Sequence, residues 1–210
     1  MAHVLRGRPG DRLTVFDGSG TEAEAEIVKL SKTAASLRLG VRHCDSPATD
    51  CEIVLATAVP KVDRFRWLVE KTTELGVGRL IPLQTARSVV SPGALKLDKM
   101  RQAVIEACKQ SGRNRLMEIE PVTSWREFVS GSVPTACAFL AEPAGDPLPD
   151  LADLRKHGKR VLLIVGPEGG LTEVERHEAM EAGARPVTLG THILRIETAA
   201  LAMAAVFLLK

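Results

Sequence analysis

The stretch "LLIVGPEGGLTEVE", residues 162–175, runs from an apolar tetrad into a proline, a carboxylate and two glycines. Leu162–Val165 reads as a strand covered on both faces, because nothing polar interrupts it. Thr172 and Glu175 stand at the T-x-x-E spacing of a capping box, which predicts a helix starting directly after the loop. Gly166, Gly169 and Gly170 let the backbone approach a ligand closely, and the helix N-terminus offers free N–H donors. A tight turn that needs glycine for geometry alone is the competing reading of one such loop. A second loop, Leu189–Arg195, follows the short run "PVT", and the chain then enters its last helix near Glu197 and Thr198. Two loops on successive strands favour a shared ligand site, since open α/β sheets bind ligands beyond the carboxyl ends of their strands.

Working outward, residues from 52 onward alternate between apolar strands and helical periodicity. "EIVLATAV", "RLIPL", "TACAFLA", "RVLLIVG" and "PVTLG" read as strands. "KVDRFRWLVEKTTELGV", "LDKMRQAVIEACKQSG", "TEVERHEAMEAGA" and "TAALAMAAVFLLK" read as helices, the first stopped by Gly76. This alternation predicts an α/β fold with a mostly parallel sheet and helices on both faces. The last helix is apolar nearly all round, so burial on more than one side is expected. Trp67 lies off its helix's apolar stripe and is expected either to pack between helices or to meet a partner subunit. Residues 1–46 differ. They read as three short strands, with a turn at Asp17-Gly18-Ser19-Gly20 and a third strand alternating Ala35, Leu37, Leu39 and Val41 against polar neighbours.

Composition bounds the function. The chain has 210 residues, 45% of them hydrophobic, and a net charge of +2, so any nucleic-acid surface must be local rather than global. With no tyrosine, five Phe and two Trp, an aromatic base-stacking platform is disfavoured. No apolar run reaches bilayer length, and "MAHVLRGRPGD" lacks a signal-peptide core. Cys44, Cys51, Cys108 and Cys137 show neither C-x-x-C nor zinc-ligand spacing and are expected to be free buried thiols in a reducing cytoplasm, with no metal. The loop at 166–170 is neither G-x-x-x-x-G-K-[ST] nor G-x-G-x-x-G, which disfavours a triphosphate cradle and the usual dinucleotide fold.

"GPEGGLTEVE" followed by "LGTHILRIETAALA" closely resembles the bacterial 16S ribosomal RNA (uracil-N3) methyltransferase family, of the SPOUT class. "FRWLVEKTTELGVGRLIPLQTARSVV" and "AVIEACKQSGRNRLMEI" resemble the family's middle blocks, and "HVLRGRPGDRLTVFDGSG" its N-terminal domain. The resemblance runs nearly the full length. It implies a SPOUT methyltransferase domain over residues 47–210 with a C-terminal trefoil knot, and a small PUA-like β-barrel over residues 1–46. Members usually carry further residues before the "HVLR" block, so that barrel is expected to be incomplete.

The resemblance also implies S-adenosylmethionine as cofactor, held by Leu140–Pro143, Gly166–Gly170 and Leu189–Arg195. Within these, Leu140, Glu142, Gly166, Gly170, Leu189, Gly190, Ile193 and Leu194 are its expected contacts, and Thr198 either touches it or caps the last helix. Arg195 is the expected group beside the uracil oxygens or a phosphate; the alternative is an ion pair with Glu197. Glu168 either orients cofactor or base, or accepts N–H bonds from the glycines after it. His192 as a base is the weaker reading, because the family pattern needs no histidine there. Arg6, Arg8, Arg12, Arg87 and Arg113 are the expected contacts to 16S ribosomal RNA, Lys109 and Arg115 lying beside the last of them. A homodimer with the last helix at its interface is implied. Two other readings stay open on sequence: a non-catalytic RNA-binding or ribosome-assembly factor on the same fold, and a doubly wound nucleotide enzyme.

Overall fold

In the computed structural model, residues 7–44, 51–89, 95–148 and 160–209 are described. The expected boundary at 46/47 and Arg6 lie outside them. The contacts divide the chain into two compact units.

The smaller unit holds β1 (Arg12–Phe16), β2 (Thr21–Leu30) and β3 (Ala35–Cys44), an antiparallel sheet in the order β1-β2-β3, together with Asn114–Leu116. β2 follows the period of two that strand geometry imposes: Ala23, Ala25 and Ile27 are buried, and glutamates stand between them. The β1–β2 turn is an Asx turn. Asp17 Oδ1 accepts from Ser19 N at 2.7 Å, Ser19 Oγ at 2.8 Å and Thr21 N at 3.3 Å, and these bonds hold the Asp17 carboxyl down at about 2. Gly18 (φ 84°) and Gly20 (φ 104°) supply the positive φ the turn needs. The expected alternation of β3 does not lead to burial: Leu39 and Val41 are 48% and 73% exposed.

The larger unit is a mixed α/β structure around a seven-stranded sheet. Its strands are β4 (Ile53–Ala58), β5 (Arg79–Gln84), β6 (Glu118–Ile119), β7 (Thr123–Ser124), β8 (Cys137–Asp146), β9 (Val161–Val165) and β10 (Arg185–Val187). The order is β10-β8-β9-β4-β5-β6 with β7 also on β5, and every pairing is parallel. β4 and β9, at the centre, are buried at every position, as a strand covered on both faces requires.

Among the described residues five helices cover the sheet: α1 (Val62–Leu75), α2 (Leu97–Ser111), α3 (Trp125–Gly131), α4 (Glu173–Glu181) and α5 (Ile196–Leu208). α1 packs on α2 and α5, and α5 on β4 and β9. Trp125 and Phe128 of α3 and Ala179 of α4 share a core with Val54, Leu140, Leu162 and Ile164 on one face of the sheet. Phe139, next to Leu140 and so pointing to the other face, meets Phe207 of α5 at a ring-centroid distance of 5.3 Å. Each large apolar side chain buried here contributes about 1.5–3 kcal/mol.

α1 and α2 stop at Gly76 (φ 104°) and Gly112 (φ 73°), whose left-handed backbone turns the chain out of the helix. Several expectations differ from what is observed. Trp67 is 45% exposed, so of its two expected placements the one between helices is not observed. α5 is buried on more than one side, as expected, although Val206 is exposed. Cys51 and Cys108 are buried, but Cys44 is exposed and Cys137 half-buried. β6, β7 and α3 have no counterpart in the sequence reading, although the Ser124–Glu127 capping box that starts α3 is an S-x-x-E pattern.

Candidate active site

The site grows out of three neighbouring strands. Along β8 and β10 the register jumps: Pro186 faces Leu140, but Val187 faces Asp146. Residues 141–145 of β8 therefore stand outside its pairing with β10. Gly145 lies where a Cβ would meet Val187 N at 2.5 Å, so no larger residue passes β10 there without a shift. Beyond β9, Gly170 N donates to Pro167 O at 2.8 Å, with Gly170 at φ 69°. Beyond β10, Gly190 (φ 123°) donates to Thr188 Oγ1 at 3.3 Å.

These three segments wall one cavity of about 480 Å³, within the range typical of small-molecule sites. Its lining includes Ala141, Glu142 and Pro143 from the first segment. The second gives Gly166, Pro167, Glu168, Gly170 and Leu171, and the third Thr188, Leu189, Gly190, His192, Ile193 and Leu194. Glu173 and Arg176 of α4 complete it with Ile196 and Ala199 of α5. Leu189, Ile193 and Leu194 thus gather on the third segment, while Glu142 and Glu168 stand on the other two. Burial pushes the Glu142 carboxyl above the usual carboxylate range; Arg176 opposes that shift and Glu173 adds to it. Thr191 Oγ1 lies 2.8 Å from His192 Nδ1.

The glycine loop after β9 is held from outside by distant parts of the chain. Arg64, in the first turn of α1, donates to Glu168 Oε1 at 3.2 Å and stands 3.6 Å from Glu197 Oε1 in α5. Arg87 Nη1 donates to Gly169 O at 2.6 Å. Ala86 N donates to Glu175 Oε1 at 2.7 Å, while Thr172 N and Oγ1 donate to Glu175 Oε2 at 2.8 and 2.9 Å. Glu175 is buried, yet each carboxylate oxygen is satisfied.

Residues 47–208 match the RNA methyltransferase domain family, and residues 1–40 match the RNA methyltransferase PUA domain family. The chain belongs to the RNA methyltransferase family. It is 30% identical to ribosomal RNA small subunit methyltransferase E of Bacillus subtilis, over 96% of this chain and 82% of that protein. Its identity to the Synechocystis protein of the same name is 32%, over 95% of this chain and 66% of that one. The crystal structure of ribosomal RNA small subunit methyltransferase E from Neisseria gonorrhoeae, bound to S-adenosyl methionine, superposes with a TM-score of 0.88. The two are 33% identical, over 98% of this chain and 85% of that one.

Of the residues the family resemblance singles out, Glu142, Gly166, Glu168, Gly170, Leu189, Gly190, Ile193 and Leu194 meet in the cavity wall. Leu140 is one residue short of it, fully buried in the core between the sheet and α3. Thr198 is exposed in the first turn of α5 and does not cap that helix; the N-cap is Arg195, without a side-chain cap bond. Arg195 is exposed, and Glu197 pairs with Arg64 instead of with it. Glu168 likewise binds Arg64, not the amides of the glycines after it. Arg8 and Arg12 are surface residues of the smaller unit, Arg87 holds the glycine loop, and Arg113 Nη1 donates to Thr73 O at 2.8 Å. Arg176 and Glu173 in the cavity wall, and Arg64 behind Glu168, are charged groups that sequence reasoning missed. Nothing local marks Arg64, whose partner Glu168 is 104 residues away.

Proposed function

We infer that this chain transfers the methyl group of S-adenosylmethionine to N3 of a uracil in 16S ribosomal RNA of the small ribosomal subunit. The observation that carries this reading is the single cavity walled by three strand-end segments in a chain of the RNA methyltransferase family. The activity named for its relatives and the ligand of the Neisseria gonorrhoeae structure support the substrate and the cofactor.

The lining fits that cofactor chemically. Apolar side chains of Leu189, Ile193 and Leu194 suit the flat faces of an adenine, and the open backbone at Gly190, where a Cβ would meet nothing within 4 Å, leaves main-chain groups accessible. Glu142, Glu168 and Glu173 suit its cationic end. When bound, the cofactor supplies a methyl group already activated on a sulfonium. What remains for the protein is to orient the uracil and to lower the cost of removing the N3 proton. Arg195, at the head of α5, sits beside the uracil oxygens and stabilises the negative charge that develops there. Glu168, held through Oε1 by Arg64, orients the reacting partners from the opposite loop.

In the same reading, the C-terminal segment is threaded as a trefoil knot, and the smaller unit is part of a PUA-like barrel spanning residues 1–46. The methyltransferase domain spans residues 47–210, two copies form a homodimer through α5, and the enzyme works in the cytoplasm. Among the described residues no helix is long and apolar enough to cross a membrane, and no cluster of His, Cys, Asp or Glu is arranged to hold a metal ion.

The test is methyl transfer from labelled cofactor to small subunits of cells lacking the enzyme, with mass mapping of the product. N3-methyluracil is the expected product. A methyl group on carbon or on a ribose hydroxyl overturns the N3 assignment, and no transfer despite cofactor binding favours an assembly factor.

A further inference from the structure

Arg64 carries one positive charge between two carboxylates. It is within hydrogen-bonding distance of Glu168, which lines the cavity, and 3.6 Å from Glu197, which does not. Glu197 is 9% exposed, and its Oε2 is buried with no hydrogen-bond partner among the described residues. A buried carboxylate this poorly satisfied draws strongly on the nearest cation, so Glu197 keeps Arg64 at the cavity's edge. Arg176, which does line the cavity, is already paired with Glu173. The charge that Glu168 presents to a bound molecule is therefore governed by how far Arg64 neutralises it.

That charge matters because donor and product differ by one unit. Before transfer the cofactor carries a sulfonium; afterwards the sulfur is a neutral thioether, and the remainder of the molecule is unchanged. A bare carboxylate in the wall favours the sulfonium form, whereas a neutralised one narrows the difference. We propose that Arg64 sets the site's discrimination between the charged methyl donor and its neutral-sulfur product by partly neutralising Glu168, with Glu197 anchoring it. This rests on the methyltransferase reading above. It makes Arg64 a specificity-determining residue that never touches the reacting atoms.

Calorimetric titration of the full chain at low salt, with S-adenosylmethionine and with S-adenosylhomocysteine, tests it. The readout is the ratio of the two Kd values, product over donor. In Arg64→Gln the ratio rises roughly three- to tenfold, as expected for unmasking one charge at a partly solvated site. Arg64→Lys, which keeps the charge, retains the wild-type ratio, and Glu168→Gln lowers it. A purely structural role for Arg64 weakens both ligands together and leaves the ratio where it was, which overturns the proposal, as does a shift of opposite sign. Should loss of Arg64 unfold the chain by stranding Glu197, the Glu168→Gln ratio decides alone. If wild-type protein binds neither ligand, the methyltransferase reading itself fails.

Discussion

Arg195, Leu140 and Glu142 each answer to different physics. Arg195 is exposed, and its guanidinium makes no hydrogen bond or ion pair among the described residues, so truncating it costs the fold little. Arg195→Ala is expected to abolish methyl transfer while leaving sedimentation and thermal unfolding unchanged; full activity would remove it from the mechanism. Leu140 is the opposite case. It is sealed into the core, so Leu140→Ala leaves a void and destabilises the chain by about 2–5 kcal/mol in denaturant titration. Glu142 titrates above the usual carboxylate range because burial penalises its charge. The folded state thus holds the proton more tightly than the unfolded chain does. Its contribution to stability is greatest in acid and declines as pH rises from the ordinary carboxylate range through the raised value. Glu142→Gln cannot ionise, so its Tm should match wild type in acid and exceed it increasingly through that window, as scanning calorimetry across pH would show. Equal Tm differences at all pH values would mean that the charge is not the cause.

At the scale of elements, the glycine loop and α4 act as one piece because Glu175 does two jobs. It closes the capping box with Thr172 and accepts Ala86 N from beyond β5. Thr172→Ala removes the hydroxyl that caps the helix and one donor to a buried carboxylate, and is expected to cost about 1 kcal/mol in chemical denaturation. A value near zero would mean that water replaces the hydroxyl without loss. The T-x-x-E pattern announced this helix start, and β4, β9 and α1 followed from continuous apolar runs and a glycine stop. The matching Ser124–Glu127 box was equally visible, but α3 has only seven residues, too few for a helical period to stand out. β6 and β7 have two residues each, so they exist as strands only because β5 offers them a partner.

For the whole molecule, the net charge of +2 leaves RNA binding to local arginines. If Arg8 and Arg12 neutralise phosphates, the logarithm of the RNA affinity falls linearly with that of salt concentration, and each Arg→Ala reduces the slope by about 1. Filter binding over a salt series checks this. An unchanged slope in both variants would take the smaller unit's surface out of the RNA interface.

The longer strands and helices, both glycine loops and the family resemblance could be read from the chain alone, because helix and strand periods, caps and turns depend on residues a few positions apart. The jump between β8 and β10 that pushes Glu142 outward could not, since it exists only in the pairing of two strands about 45 residues apart. Nor could the burial of Leu140 beside a cavity it does not touch, or the hold of Arg64 on Glu168 and Glu197. A single guanidinium reaches two carboxylates more than 100 residues away because the sheet packs α1, α5 and the loop after β9 together. Which charge neutralises which is settled by distance in space, and no spacing along the chain encodes it.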